Sequence, residues 1–145
     1  MDGGHYLAPT RDPSAAEMRF FMQNPQVPAY AAEDGRVVVN PYSRLSPEET
    51  QAVIRNESAR IFMRQDHSAR PTRENFPLTE QQRQTPYPAY GPPNDPQQSL
   101  RETMAARVLT NDPSAGQPTP EQRRFADELR ARMQAARATT VGGGR

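Results

Sequence analysis

The sequence predicts a mostly α-helical chain with extended irregular arms: four short helices, one short hairpin or strand, and no large self-contained core. Three observations predict it. Leu, Ile, Val and Phe together make 20 of 145 residues, about 14%, below the roughly 20% at which burial struggles to offset the entropy of ordering a chain. Sixteen prolines and eight glycines divide the chain into short segments. Helix-start signals recur at Asp12-Pro13, Ser46-Pro47, Asp95-Pro96 and Thr119-Pro120. In each, a capping side chain precedes a proline whose missing N–H would be unpaired anyway at the first helical position.

Each helix then follows from its apolar spacing. The first is expected from about residue 13 to 23, ended by Asn24-Pro25, with Met18, Phe21 and Met22 at i, i+3 and i+4 and Phe20 alongside. The second runs from Pro47 to about Gln65. Ser46 and Glu49 complete a capping box at its start. Ile54, Ser58 and Ile61, with Phe62 beside them, form one apolar stripe, and Ala52, Ala59 and Met63 form another on a different side. Two narrow stripes imply contacts on two sides. The third helix is expected from about Pro96 to Leu109 around Leu100, Met104 and Val108. The fourth is expected from Pro120 to about Arg137 around Phe125, Leu129, Met133 and Ala136, with a second capping box at Thr119 and Gln122. A further box, Thr79 with Gln82, predicts one short helical turn.

Between the first two helices, Asp34-Gly35 is a favoured hairpin turn, with residues 27–30 on one side and Val37, Val38 and Val39 on the other. Pro28 demotes the first arm, and an isolated two-stranded hairpin is marginal in water, so the three valines are expected to pair elsewhere or lie on an apolar surface. Asn40-Pro41 stops the strand. Residues 66–95 interleave prolines with Phe76, Tyr87 and Tyr90 and read as extended, polyproline-like chain, either a docked strap or a plain linker. The expected organisation is therefore an N-terminal arm at 1–65, a Pro-rich linker or strap at 66–95, a helical pair at 96–138 and a disordered tail at 139–145.

Composition limits the function classes. The charge is nearly balanced at +1, and all 18 basic residues are Arg. With neither Lys nor Cys, the chain has no lysine Schiff base, disulfide or thiolate chemistry. The sequence predicts neither a secretory leader nor a transmembrane helix, because no apolar run exceeds three or four residues. His5 and His67 are the only histidines, the second at a helix end where it offsets the helix dipole. Glu48 and Glu49 fall in the first turn of a helix, where carboxylates cap amides. The glycines at 142–144 lack the flanking strand and helix of a phosphate loop. No catalytic residue, metal ligand, cofactor or small-molecule substrate is expected. Arg123, Arg130 and Arg137 recur every seven residues and could track phosphates, or simply form a solvated face beside the apolar stripe.

The block VVVNPYSRLSPEETQAVIRNESARIFMR, residues 37–64, resembles a segment of small proteins encoded among the structural genes of tailed bacteriophages. The features that carry it are Asn40-Pro41-Tyr42-Ser43, Leu45-Ser46-Pro47-Glu48, Asn56-Glu57, Ala59-Arg60 and Met63-Arg64. The resemblance covers a fifth of the chain and implies a non-enzymatic accessory or cement role in a virion assembled in the bacterial cytoplasm.

On this reading the partners are protein subunits of a capsid, portal or tail, copies of this chain included. Partner-binding side chains would be Phe20, Phe21, Met22, Val37, Val38, Val39, Tyr42, Ile54, Ile61, Phe62, Tyr87, Tyr90, Leu100, Met104, Val108, Phe125 and Leu129. The alternatives are a small regulator docking on a polymerase or nuclease, and a nucleic-acid-binding accessory protein.

Overall fold

The computed structural model describes residues 7–86 and 96–143, with side chains through residue 136. In order, the elements are β1 (Thr10–Arg11), α1 (Ala15–Gln23), β2 (Ala29–Ala31), β3 (Val37–Val39), α2 (Pro47–Gln65), a 3-10 turn at His67–Ala69, α3 (Glu80–Arg83), α4 (Pro96–Leu109), a second 3-10 turn at Pro113–Ala115, and α5 (Pro120–Gly143). The fold is mostly α with one small sheet, and its core is divided among three clusters, none of them large.

Capping chemistry sets most helix starts. At α2 the Glu49 N–H donates to Ser46 Oγ at 3.1 Å and the Ser46 N–H donates back to Glu49 Oε1 at 2.9 Å, so the helix occupies its expected bounds. The start of α1 differs from expectation. Ser14 is the cap, exchanging bonds of 3.2 and 2.8 Å with Glu17, while Asp12 is not. A capping box needs an acid or amide three residues on; Asp12 has Ala15 there and Ser14 has Glu17.

The end of α4 is a Schellman motif with Asn111 in the left-handed region at φ 59°. The Asp112 N–H donates to Arg107 O at 2.8 Å and the Asn111 N–H to Val108 O at 3.2 Å, which satisfies two terminal carbonyls. α5 continues to Gly143 rather than ending near Arg137, so helix extends into the residues expected as a tail.

The valine triplet has partners on both sides. The sheet order is β1-β3-β2, with β3 antiparallel to β2 across the Gly35 turn (φ +82°) and parallel to β1, Thr10 opposite Val37. The hairpin read at Asp34-Gly35 is present, so the expectation that the valines pair elsewhere than with its weak first arm is corrected there, and the second partner, β1, went unread because it is only two polar residues long and carries no strand pattern of its own. Side chains alternate across the sheet. Val37 and Val39 pack with Ala8, Ala29, Ala31 and Ile61 against α2; Val38 packs with Phe21 and Ala32 under α1.

α2 is the central element. One side carries Ile54 and Ile61 into the sheet cluster. The other carries Ala59, Phe62 and Met63 into a cluster with α4 and α5, built on Leu100, Met104, Val108, Phe125, Leu129 and Met133. Both apolar sides of α2 read from the sequence are thus occupied within one chain, with two differences: Phe62 packs on the α4 side, and Ala52, expected on the second stripe, is exposed. α4 lies behind α2 and buries ten of its fourteen residues, Arg101 and Glu102 among them.

The described part of the Pro-rich segment is docked. Phe76 is fully buried, its ring edge-on to Phe125 at 5.5 Å, and Leu78 joins the same cluster. Arg101 Nε donates to Phe76 O at 3.2 Å and Gln98 Nε2 to Pro71 O at 3.0 Å. The third residues of two capping boxes then meet. Gln82 and Gln122, both buried, exchange side-chain amide bonds of 3.3 and 2.7 Å, while their remaining hydrogens go to Ala115 O and Pro77 O at 3.0 and 2.8 Å. Their oxygens also accept the Thr79 and Thr119 N–H groups. This closed network ties the starts of α3 and α5 together.

Candidate functional site

An open groove of about 1460 Å³ runs between the β2–β3 hairpin and α4, floored by α2. The floor is a helical stripe of Glu49, Ala52, Val53, Asn56, Arg60 and Arg64; Thr103, Arg107 and Asn111 line the α4 wall. Phe20, Val27, Pro28 and Leu45 make part of the lining apolar.

The floor is held by a polar clamp on the edge of the sheet. Bonds from Ala32 N–H to Arg36 O and from Asn40 N–H to Pro28 O set the β2–β3 pairing, which turns the Ala31 N–H and C=O outward. Both are met by side chains of α2. Glu57 accepts the Ala31 N–H. Arg64 Nη1 donates to Ala31 O at 3.4 Å, and Arg64 Nε donates to Glu102 Oε1 at 3.2 Å. The edge strand is covered by a glutamate and an arginine in place of another strand, and the same arginine reaches α4. Beside them, Arg60 donates to the Thr103 hydroxyl and stands 3.7 Å from Glu57. Burial pushes the Glu57 carboxyl above the usual glutamate range, against the opposing pull of Arg60 and Arg64.

A second network fixes the hairpin wall. Arg11 bonds both oxygens of Glu17, at 2.6 and 2.8 Å, and Asp34 at 2.8 Å, while the Tyr30 hydroxyl donates to Glu17. One guanidinium thereby joins β1, α1 and the hairpin turn. Hydrogen bonding from Arg11 outweighs burial and holds the Glu17 carboxyl well below its usual range. Burial, with Glu17 alongside, pushes the Tyr30 hydroxyl up.

Most side chains expected at a partner surface are used inside the chain. Phe21, Val37, Val38, Ile61, Leu100, Met104, Val108, Phe125 and Leu129 are buried; Phe20, Val39, Ile54 and Phe62 are partly buried against the same clusters. The physical reason is the position of α2 between the sheet and α4. Met22 and Tyr42 remain exposed, at 65% and 52%, and Tyr87 and Tyr90 lie outside the described residues.

The arginine stripe is also divided. Arg123 is exposed, but Arg130 Nη2 donates to Leu109 O at 2.8 Å, capping α4, and its Nη1 pairs with Asp127 at 2.9 Å. The side chain of Arg137 lies outside the described residues. Glu57, Arg60 and Arg64 entered the sequence reading only as part of the resemblance and not as site residues, although they form a polar strip between the two apolar stripes of α2; Arg107, on α4, had no signal there.

Among the described residues no group of three His, Cys, Asp or Glu side chains could hold a metal ion, and no helix is long and apolar enough to cross a membrane. No protein-family model, curated protein or solved structure matches the chain.

Proposed function

We propose that this chain is a non-enzymatic component of a larger protein assembly, an accessory or connector subunit of a bacteriophage particle, and that it docks through the groove on α2. The observation that carries the reading is the groove itself. It is long, open, mixed in polarity and floored by guanidinium groups already fixed by ion pairs and hydrogen bonds. Preorganised arginines beside apolar side chains suit recognition of another protein, since little side-chain entropy remains to be lost on binding. The phage assignment rests on the resemblance of residues 37–64, and α2 with its preceding loop, the segment that carries the resemblance, also supplies the groove floor.

The test is a quantitative mass-spectrometric inventory of purified particles from cells that make this chain. Presence in a fixed ratio to capsid, portal or tail subunits is the expected result. Absence from particles, with recovery on a polymerase or nuclease, replaces this reading with that of a regulator.

A further inference from the structure

The edge of β2 has one open residue. Alternate residues of an edge strand turn their N–H and C=O outward, here Ala29 and Ala31, because the Ala32–Arg36 and Asn40–Pro28 bonds take the intervening set. Ala31 is closed by Glu57 and Arg64. Val27 is closed as well: its N–H donates to Asn24 O at 3.0 Å and its carbonyl accepts from Asn40 Nδ2 at 2.9 Å. Ala29 is 5% exposed and lines the groove, and its N–H and C=O have no hydrogen-bond partner among the described residues. A buried backbone donor and acceptor are costly to leave unpaired, and an extended chain laid along the edge satisfies both at once.

Two unpaired side chains stand at the same level. β3 is antiparallel to β2 and leads through residues 40–46 into α2, with Val39 packed beside Val53 and Ile54, so β2 runs the same way as α2. Glu57 and Arg64 bracket Ala31 and centre it near Arg60. Ala29 lies about 6.6 Å earlier along the strand, which is about four residues of helix and so near Asn56. α4 runs antiparallel to α2 through the Arg64–Glu102 and Arg60–Thr103 bonds; one turn further on, Asn56 is level with Arg107. Both line the groove half-buried, and neither the Asn56 amide nor the Arg107 guanidinium has a hydrogen bond or ion pair among the described residues. The groove carboxylates towards the start of α2 are committed to caps, Glu49 to the Ser46 N–H and Asp112 to the Ser114 N–H. Arg107 therefore presents an uncompensated charge, which a carboxylate matches. Beyond it, Val27, Pro28 and Leu45 make the lining apolar.

We propose that the groove binds an extended peptide segment of a partner protein, paired through its backbone with Ala29, with an Asp or Glu side chain on Arg107 and an apolar side chain against Val27, Pro28 and Leu45. Asn56 offers an amide donor and acceptor to the same segment. The closed residues on either side of Ala29 confine the pairing to one position, so the motif is short and its register fixed. The proposal rests on the docking reading above and names the chemistry of what docks.

Selection of a random peptide library on the full-length chain tests it, followed by isothermal titration of the selected peptides. They should share an acidic and an apolar residue at a fixed separation. Changing the acid to its amide, or Arg107→Gln in the protein, should each weaken binding by about tenfold or more, and the two changes together should cost little more than either alone. A scan of single backbone N-methyl groups along the peptide should find one position that costs a similar factor. Ala29→Pro removes an N–H that nothing inside the chain uses and should weaken binding likewise, with far-UV circular dichroism reporting whether it folds. The N-methyl scan leaves the protein untouched and decides the backbone pairing where that variant does not fold.

A library that yields no binder overturns the proposal. So do selected peptides without a shared acid, affinity indifferent to Arg107→Gln, or a scan in which no N-methyl group matters. Peptide recognition by a chain absent from particles keeps this proposal and removes the assembly reading; a fixed ratio in particles without peptide recognition does the reverse.

Discussion

The Gln82–Gln122 pair supports a quantitative prediction about the Pro-rich strap. Gln122→Leu keeps the side-chain volume close to that of the glutamine, so it opens no large cavity, but it removes four hydrogen bonds: to Pro77 O, to and from the Gln82 amide, and from the Thr119 N–H. At a net value of about 1 kcal/mol for each buried bond the loss is about 4 kcal/mol, and the added apolar burial returns about 1 kcal/mol. The expected destabilisation is therefore about 3 kcal/mol. For a domain of this size that corresponds to a fall in Tm of about 10 °C. Chemical denaturation followed by far-UV circular dichroism measures it. Because Gln82 shares the network, the double variant with Gln82→Leu should cost about 1–2 kcal/mol less than the sum of the single changes. A loss below about 1 kcal/mol for Gln122→Leu, or strict additivity with Gln82→Leu, would refute the closed network and with it the docked strap.

Other predictions concern charge and packing. Glu57 has its folded-state pKa raised by burial, so the folded protein holds that proton more tightly than the unfolded chain, and stability falls as pH rises from the unfolded value through the folded one. Glu57→Gln should therefore raise the denaturation midpoint at neutral pH and lose its advantage below the unfolded glutamate value; a variant less stable than the parent at pH 7 contradicts this. Glu17 behaves oppositely. Its carboxyl is held low by Arg11, so its contribution is present above the ordinary value of 4.5 and is lost as pH falls below it, and Glu17→Gln should flatten the acid limb of a stability–pH curve. Phe76→Ala should cost about 3–5 kcal/mol in a denaturant titration, as expected for a fully buried aromatic, whereas an undocked strap would show almost none.

What could be read from the sequence was chiefly local. Ser46, Pro47 and Glu49 fix the start of α2 because cap, proline and reciprocal acid lie within four residues, and the same logic finds α3 and α5. Asp12-Pro13 misled because a proline at a plausible first position outweighed the reciprocal acid, which belongs to Ser14. Val37 to Val39 read as a strand, but their pairing with Thr10 and Arg11 is parallel and long-range, and two polar residues carry no strand period.

α2 showed its two apolar stripes plainly. That both would be filled by this chain depended on α4, whose buried Arg101 and Glu102 disguise it as a solvated helix. The groove was illegible for the same reason. Glu57, Arg60 and Arg64 look like ordinary exposed charges until the Ala31 edge and Thr103 are brought against them. Gln82 and Gln122 were each visible as capping residues, and only the fold makes them partners.

The claim that the chain works by docking through the α2 groove is tested most directly by filling the groove. Ala52 is exposed on its floor, so Ala52→Trp should leave the fold intact by circular dichroism while obstructing the groove, and Arg124→Glu on the exposed face of α5 serves as the matched control. Incorporation of each variant into particles, measured as its ratio to the major subunit, should fall at least about tenfold for Ala52→Trp and stay at the parent level for Arg124→Glu. Undiminished incorporation of a folded Ala52→Trp variant would contradict the account.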